Sequence, residues 1–217
     1  MPILKKLVGV LERKAYRAAG EVSIGIERRL QVTDEAFRDV VEFTKHETPC
    51  SIRHTFDMNL GRAYEHPFGE KEVRANLIYA FIFPKWIQES FIAHELTHMK
   101  QAQIMARAIV GDFVKAGKSI QEGLEVCKGL FGNPKSFDTK YFEKIIEKEG
   151  TLQPDNPLYH HAVKLIEALK NYNNPITNLL EREAYDAQKA YQKERYPATI
   201  KRKIRQLLGI KKKPQTT

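Results

Sequence analysis

The segment from His94 to His98 constrains the fold of this chain more than any other. It reads His-Glu-Leu-Thr-His and is adjoined by the uncharged residues Ala93 and Met99. On a helix, side chains at positions i and i+4 project from one face, so His94 and His98 can bind one metal ion together. Glu95 lies beside them, where its carboxylate can accept a proton from a water molecule at that metal. The segment predicts a buried helix that carries two metal ligands; the alternative is a core helix with two hydrogen-bonded histidines.

A third ligand is expected far along the chain. Catalytic zinc usually has three protein ligands and a water molecule, and the best candidates lie in residues 178–187, whose apolar stripe predicts a helix. Glu181 and Glu183 flank that stripe on opposite sides. Packing favours Glu181, because the small Ala184 follows it one turn later, whereas Asp186 follows Glu183. The alternative is that both glutamates are ordinary surface carboxylates.

Three more side chains are candidates for roles at this metal. His160 and His161 lie in a helical segment between the two motifs. Either could replace the glutamate as third ligand or donate a hydrogen bond to the oxyanion of a transition state; the alternative is that both are surface or half-buried histidines. Tyr185, one turn past Glu181, could orient a ligand or stabilise the oxyanion, and a core tyrosine is its alternative.

Together these motifs resemble those of zincin metallopeptidases, in the branch whose third ligand is a glutamate (gluzincins). In that branch the later motif commonly reads Glu-x-x-Ala followed by Asp or Asn, and here Tyr185 stands where that acid or amide is usual. The chain is still more similar to bacterial and phage zincin-like domains in which His-Glu-Leu-x-His-x-x-Gln precedes Glu-x-Glu-Ala-Tyr. Residues 94–101 and 181–185 match the two halves, and the resemblance covers roughly residues 70–192.

The resemblance implies a Zn²⁺ cofactor and a peptide or protein substrate. It also implies that the substrate lies as an added strand against the edge of a sheet near the metal helix, for which residues 75–83 are the candidate edge strand. With the reasoning above, it gives the following site: metal ligands His94, His98 and Glu181, and catalytic residues Glu95 and Tyr185.

The order of predicted elements indicates an α+β fold, with a small N-terminal sheet, the metal helix and a helical C-terminal half. Strands are predicted over residues 21–32, 50–65 and 72–83, with a turn at Pro67-Phe68-Gly69. The helices are predicted from Thr33 or Asp34 to about Lys45, from about Trp86 to Ile109 or beyond, from Ser119 to about Leu130, from Asp138 to Glu149, from Asn156 to about Tyr172, and between Asn174-Pro175 and Pro197.

Length and charge divide the chain into three parts. Its 217 residues suit one compact domain, expected over residues 21–196, between a basic amphipathic helix in residues 1–20 and a basic tail over 197–217. The formal net charge of +9 is concentrated at the ends, since residues 193–213 contain nine Lys or Arg and one Glu. Such a tail can bind nucleic acid or an anionic surface nonspecifically; the alternative is a solvated tail.

Cysteine content and hydropathy bear on the compartment. The chain has only Cys50 and Cys127 and no Cys-x-x-Cys, so no disulfide framework is implied and a reducing compartment, the cytoplasm, is expected. No stretch approaches 18 apolar residues, so no transmembrane span is expected.

The sequence therefore predicts a zinc-dependent peptidase. Two alternatives remain: a non-catalytic zincin-like interaction module that retains a metal for stability, and a DNA-associated metalloprotease that the basic tail recruits to its substrate. The sequence does not identify the substrate.

Overall fold

The computed structural model describes residues 26–44, 50–55, 64–65, 68–76, 78, 82–131, 137–172, 174–175 and 177–196. The helix predicted in residues 1–20 and the basic tail predicted over 197–217 lie outside these residues.

The described chain is mainly helical and carries a small mixed sheet, which confirms the α+β class. Helix α1 is described over residues 26–43. The strands are β1 (Ser51–Thr55), β2 (Tyr64–Glu65) and β3 (Glu72–Asn76). The remaining helices are α2 (Lys85–Lys115), α3 (Ile120–Leu130), α4 (Thr139–Glu149), α5 (Pro157–Lys170) and α6 (Leu179–Arg195).

Helix α1 corrects the first predicted strand. Residues 26–32 are helical, and the helix runs without a break through Thr33, where a new helix was expected to begin. Thr33, Ala36, Phe37 and Val40 are all buried, which is a helical stripe of positions i, i+3, i+4 and i+7. The Thr33 hydroxyl does not cap a helix; it donates to Gln88 Oε1 at 2.8 Å and ties α1 to α2. The predicted strand is therefore wrong over residues 26–32, where packing against α2 favours a helix; residues 21–25, which carry most of the apolar alternation, lie outside the described residues.

The described strands form a sheet in the order β1-β3-β2. β3 pairs in parallel with β1 and antiparallel with β2, and a turn at 68–69 precedes β3, with Gly69 at φ 97° as the predicted turn requires. The strand predicted over 72–83 is too long. β3 ends at Asn76, whose side chain accepts a hydrogen bond from the backbone of Ile78 at 3.1 Å, and Ile78 and Ile82 are helical.

This position of β3 also corrects the substrate-strand prediction. Where the structure describes it, the candidate edge strand over residues 75–83 is not an edge, because its described strand residues, Ala75 and Asn76, belong to β3, which has a neighbour on both sides. Within the described part of the chain, β1 and β2 are the edge strands.

Helix α2 is the centre of the fold. It has 31 residues, in agreement with the predicted metal helix, and packs against α3, α4, α5, α6, β2 and β3. Because neighbours surround it, apolar and polar side chains alike are buried along its length, including Ile92, Leu96, His94 and His98. The main apolar core lies between α2, the sheet and helices α1, α3, α4, α5 and α6.

Local capping signals place the helices after α2 where they were predicted. Ser119 and Glu122 form a reciprocal capping box at the start of α3. Asp138 and Asn156 cap α4 and α5. Helix α6 begins at Leu179, and its cap Asn178 accepts from the backbone of Leu180 at 2.9 Å and donates to Ala168 O at 2.8 Å. The second bond ties the start of α6 to α5.

Two contacts position α6 and α5 on α2. The Glu89 carboxylate on α2 is buried and accepts hydrogen bonds from the hydroxyls of Tyr191 on α6, at 3.1 Å, and of Tyr196. Near the other end of α2, a Cβ atom at Gly111 would collide with the carbonyl oxygen of Leu152, in the segment that leads into α5. The Leu152 amide donates to Arg107 O at 3.0 Å, so this segment lies directly on α2.

No helix in the described residues is both long and apolar enough to span a membrane. Helix α2 has the length, but it carries charged and polar side chains throughout.

Candidate metal centre

Three side chains converge on one point between α2 and α6. The Nε2 atoms of His94 and His98 lie 3.1 Å apart. The carboxylate of Glu181 lies 3.3 Å from His94 Nε2 through Oε2 and 3.6 Å from His98 Nε2 through Oε1. A tetrahedral zinc ion with bonds of about 2.0–2.1 Å separates neighbouring ligand atoms by about 3.3–3.4 Å. The spacing of these nitrogen and oxygen donors therefore fits a divalent cation.

The two helices bring these groups together for local reasons. His94 and His98 are one turn apart on α2 and are 7% and 5% exposed. Glu181 lies in the first turn of α6, whose start is fixed by the cap Asn178. Ala184, one turn after Glu181, is fully buried, and its small side chain lets α6 approach α2 closely. This is the packing for which Glu181 was preferred over Glu183.

Glu183 has a different position. Its Oε2 atom accepts a hydrogen bond from Gln101 Nε2 at 3.0 Å, and Gln101 Oε1 lies 2.9 Å from His98 Nδ1. His161 Nε2 lies 3.5 Å from Glu183 Oε2, at the outer end of this chain of contacts. Glu183 and His161 are thus linked to His98 through Gln101 and do not belong to the His94, His98 and Glu181 group.

His160 is not part of the centre either. It is exposed, and its ring contacts Tyr159 with centroids 5.8 Å apart. The prediction that one of the paired histidines replaces the glutamate as third ligand is therefore not supported by the positions of His160 and His161. His161 contacts Glu183, which is itself linked to His98 through Gln101.

Tyr185 lies against His94. The two ring centroids are 4.7 Å apart at an interplanar angle of 63°, and Tyr185 is 46% exposed. His94 Nδ1 is buried and has no hydrogen-bond partner among the described residues. Tyr185 stands where the resemblance expects a hydrogen-bonding acid or amide, and it contacts His94 through its ring. The orientation of this histidine therefore depends on aromatic packing.

Tyr172 is a site residue that the sequence did not reveal. Its hydroxyl donates to Glu181 Oε1 at 2.6 Å, and the residue is 44% exposed. It lies in the connection between α5 and α6, where no periodic pattern or motif predicts the path of the chain. Phe68, in the turn before β3, also contacts the centre, with its ring centroid 5.6 Å from that of His98.

The protonation states of Glu181 and His98 depend on the contacts between them. Burial raises the pKa of Glu181, but hydrogen bonds from His94, His98 and Tyr172 outweigh it and hold that pKa well below its usual value. Burial lowers the pKa of His98, but the hydrogen bond with Glu181 and the charge of Glu95 outweigh it, so this pKa is raised. The Glu181 carboxylate is ionised at neutral pH, as a metal ligand must be.

Glu95 is half-buried on α2, directly after His94. Its charge acts on His98, so it belongs to the electrostatic surroundings of the centre. Of the predicted site residues, the structure thus brings His94, His98 and Glu181 into one group, with Tyr185 in ring contact and Glu95 adjacent along the helix.

Comparison with known proteins gave no relative for this chain: no protein-family model, curated protein or solved structure matches it. The zincin resemblance stays a prediction from the two motifs.

Proposed function

We propose that this chain is a zinc-dependent peptidase of the zincin type. The observation that carries the proposal is the convergence of His94 Nε2, His98 Nε2 and the Glu181 carboxylate at mutual distances of 3.1 to 3.6 Å. Two imidazoles and one carboxylate are a common ligand set of catalytic zinc, and three protein ligands leave one position for water or substrate. A zinc ion held there would polarise the scissile carbonyl and lower the pKa of a water molecule toward about 7.

Three further residues have separate roles in the proposed reaction. Glu95, next to His94 and half-buried, is the general base that accepts a proton from the attacking water and later gives it to the leaving amine. Tyr172 holds the Glu181 carboxylate by a hydrogen bond of 2.6 Å. Tyr185 is in ring contact with His94 and is half-exposed, so it is available to a substrate that enters the centre.

The test separates metal binding from catalysis. Glu95→Gln keeps the size of the side chain but removes the base, so we expect zinc to remain bound while hydrolysis of fluorogenic peptides falls by about 100-fold or more. Glu147→Gln makes the same chemical change at an exposed position on α4 and should leave both properties as in the unmodified protein. Full activity in the Glu95→Gln variant would refute the proposed mechanism.

The two alternatives from the sequence have no specific observation in their favour. A DNA-recruited protease depends on the basic tail over 197–217, which lies outside the described residues. A non-catalytic module would bind zinc and hydrolyse no peptide before or after the Glu95→Gln substitution, so the same experiment identifies it.

A further inference from the structure

Gln101 occupies a buried position between the two motifs that supply the metal-facing groups. It is 2% exposed on α2, one turn after His98. Its amide nitrogen donates to Leu180 O at 3.1 Å and to Glu183 Oε2 at 3.0 Å, both on α6. The Gln101 side chain therefore contacts His98 on α2 and, on α6, Leu180 and Glu183, which lie on either side of Glu181 in the sequence.

These bonds determine how the amide is oriented. A main-chain carbonyl oxygen can only accept a hydrogen bond, and an ionised carboxylate likewise. The amide nitrogen of Gln101 must therefore face Leu180 and Glu183, and its oxygen must face His98. Because an amide oxygen only accepts, His98 Nδ1 must carry the proton in this 2.9 Å contact. In the neutral ring the unprotonated nitrogen of His98 is then Nε2, the atom that faces His94 and Glu181.

We propose that Gln101, held by Glu183 and Leu180, is the positioning residue that fixes the tautomer and ring orientation of His98. The inference rests on the proposed metal centre but does not depend on peptide hydrolysis. It gives a physical reason for the Gln three residues after His98 and for the Glu two residues after Glu181: the pair joins the histidine helix to the glutamate helix. His94 has no equivalent partner among the described residues, so the two histidines are oriented by different means.

The variants are chosen to remove this link in steps. Gln101→Leu removes the acceptor of His98 and both donors to α6, and Glu183→Ala removes one of the two anchors. Gln103→Leu is the matched control, because Gln103 is a buried glutamine on the same helix that donates to Tyr141 at 2.7 Å, away from the centre. The Gln103→Leu variant loses a buried hydrogen bond but keeps every contact of His98.

The zinc dissociation constant is measured by competition with a chromogenic chelator. The tautomer of His98 is measured by long-range ¹H–¹⁵N spectra of the metal-free protein at alkaline pH, where the ring is neutral. We expect Gln101→Leu to weaken zinc binding by about 10- to 100-fold, the range for lost partners of ligating histidines, and to lose the pure Nδ1–H signal. Glu183→Ala should weaken binding less, and the double variant no more than Gln101→Leu alone, because both act through one contact chain. Gln103→Leu should change neither quantity.

The outcomes separate the two proposals. An unmodified protein that binds no zinc but shows the Nδ1–H tautomer of His98, lost in Gln101→Leu, would remove the peptidase proposal and support the positioning role. Unchanged zinc affinity and tautomer in Gln101→Leu would overturn the positioning role and leave the peptidase proposal intact. If Gln101→Leu does not fold, Glu183→Ala decides alone: its half-buried side chain can be lost more safely, and an unchanged tautomer and affinity would overturn the inference.

Discussion

Tyr172 donates a hydrogen bond of 2.6 Å to Glu181 Oε1 from outside both motif helices. The bond stabilises the negative charge of the carboxylate and restricts its rotation. One of its two oxygens is engaged in this way, while the other lies 3.3 Å from His94 Nε2. The third ligand is thus oriented by a residue of the loop between α5 and α6.

Tyr172→Phe should therefore weaken zinc binding. A hydrogen bond to a charged group contributes about 1.5–3 kcal/mol when buried, and the partial exposure of Tyr172 reduces this to about 1 kcal/mol, or roughly fivefold in the dissociation constant. Tyr159→Phe is the control, since its hydroxyl makes a similar bond to Asp112 at 2.9 Å far from the centre. Equal dissociation constants for the two variants would exclude a role of Tyr172 in holding the ligand.

Replacement of the two glutamates of α6 should have unequal effects on metal content. Glu181→Ala removes a group that faces both histidines, so the purified variant should contain almost no zinc by elemental analysis. Glu183→Ala removes an outer contact and should retain zinc, with an affinity reduced toward the low end of about 10–100-fold. The assignment of Glu181 is contradicted if the Glu183→Ala protein is the one that loses its metal.

Two substitutions separate the roles of the Tyr185 ring and hydroxyl. Tyr185→Phe keeps the ring contact with His94 at 4.7 Å, so zinc affinity should not change. The oxyanion-stabilising role that the sequence suggests for the hydroxyl predicts that kcat falls by about 100-fold. Tyr185→Leu removes the ring as well and should also weaken zinc binding. A Tyr185→Phe enzyme with normal kcat would limit Tyr185 to packing.

The buried carboxylate of Glu89 makes the contact between α2 and α6 sensitive to loss of its partners. Tyr191→Phe removes the 3.1 Å donor to this carboxylate. It should lower the free energy of unfolding in urea by about 1 kcal/mol, the contribution of one hydrogen bond, because Tyr196 still donates to the same oxygen. Tyr159→Phe, which alters a surface bond, should change the midpoint far less. A midpoint for Tyr191→Phe equal to that of the control would mean that Tyr196 alone satisfies Glu89.

Stability should fall at alkaline pH because of two thiols, of which Cys127 is buried and Cys50 is half-buried. Burial raises the pKa of Cys50 from 9.0 to about 11 and that of Cys127 from 9.0 to about 12. The unfolded chain loses these protons at lower pH than the folded chain does, so the stabilisation is complete below pH 9 and is lost as the pH rises toward 11 to 12. Urea unfolding over this range should show the loss, and Cys127→Ala should make it smaller. A slope that is the same in both proteins would assign the effect to other groups.

The parts of this structure that depend on local chemistry could be predicted from the sequence. The i, i+4 spacing of His94 and His98 sets their geometry on α2, and caps such as Ser119 and Asn156 mark helix starts because they satisfy local backbone groups. The preference for Glu181 also had a local basis, the small residue one turn later.

The remaining features depend on contacts between distant segments. Residues 26–32 are included in a predicted strand because of the alternation that precedes them, yet they are helical, in a helix whose buried stripe includes the Thr33 that bonds Gln88. The apolar run after Asn76 has strand composition, but the Asn76 side chain turns the chain at Ile78. Tyr172 reaches Glu181 through a loop, and the link from Gln101 to Glu183 spans 82 residues. None of these pairings has a periodic signal.

The absence of a side chain at Gly111 has a consequence for relatives of this chain. Even a methyl group there would displace the Leu152 carbonyl and the segment that leads into α5, and α5 carries His161, the outermost contact of the Gln101 chain. Homologues that keep both motifs should therefore keep glycine at this position, and a substitution there would be accompanied by an altered path between α4 and α5. A glycine at position 111 would therefore identify sequences that share this arrangement of helices, without reference to the metal-facing residues.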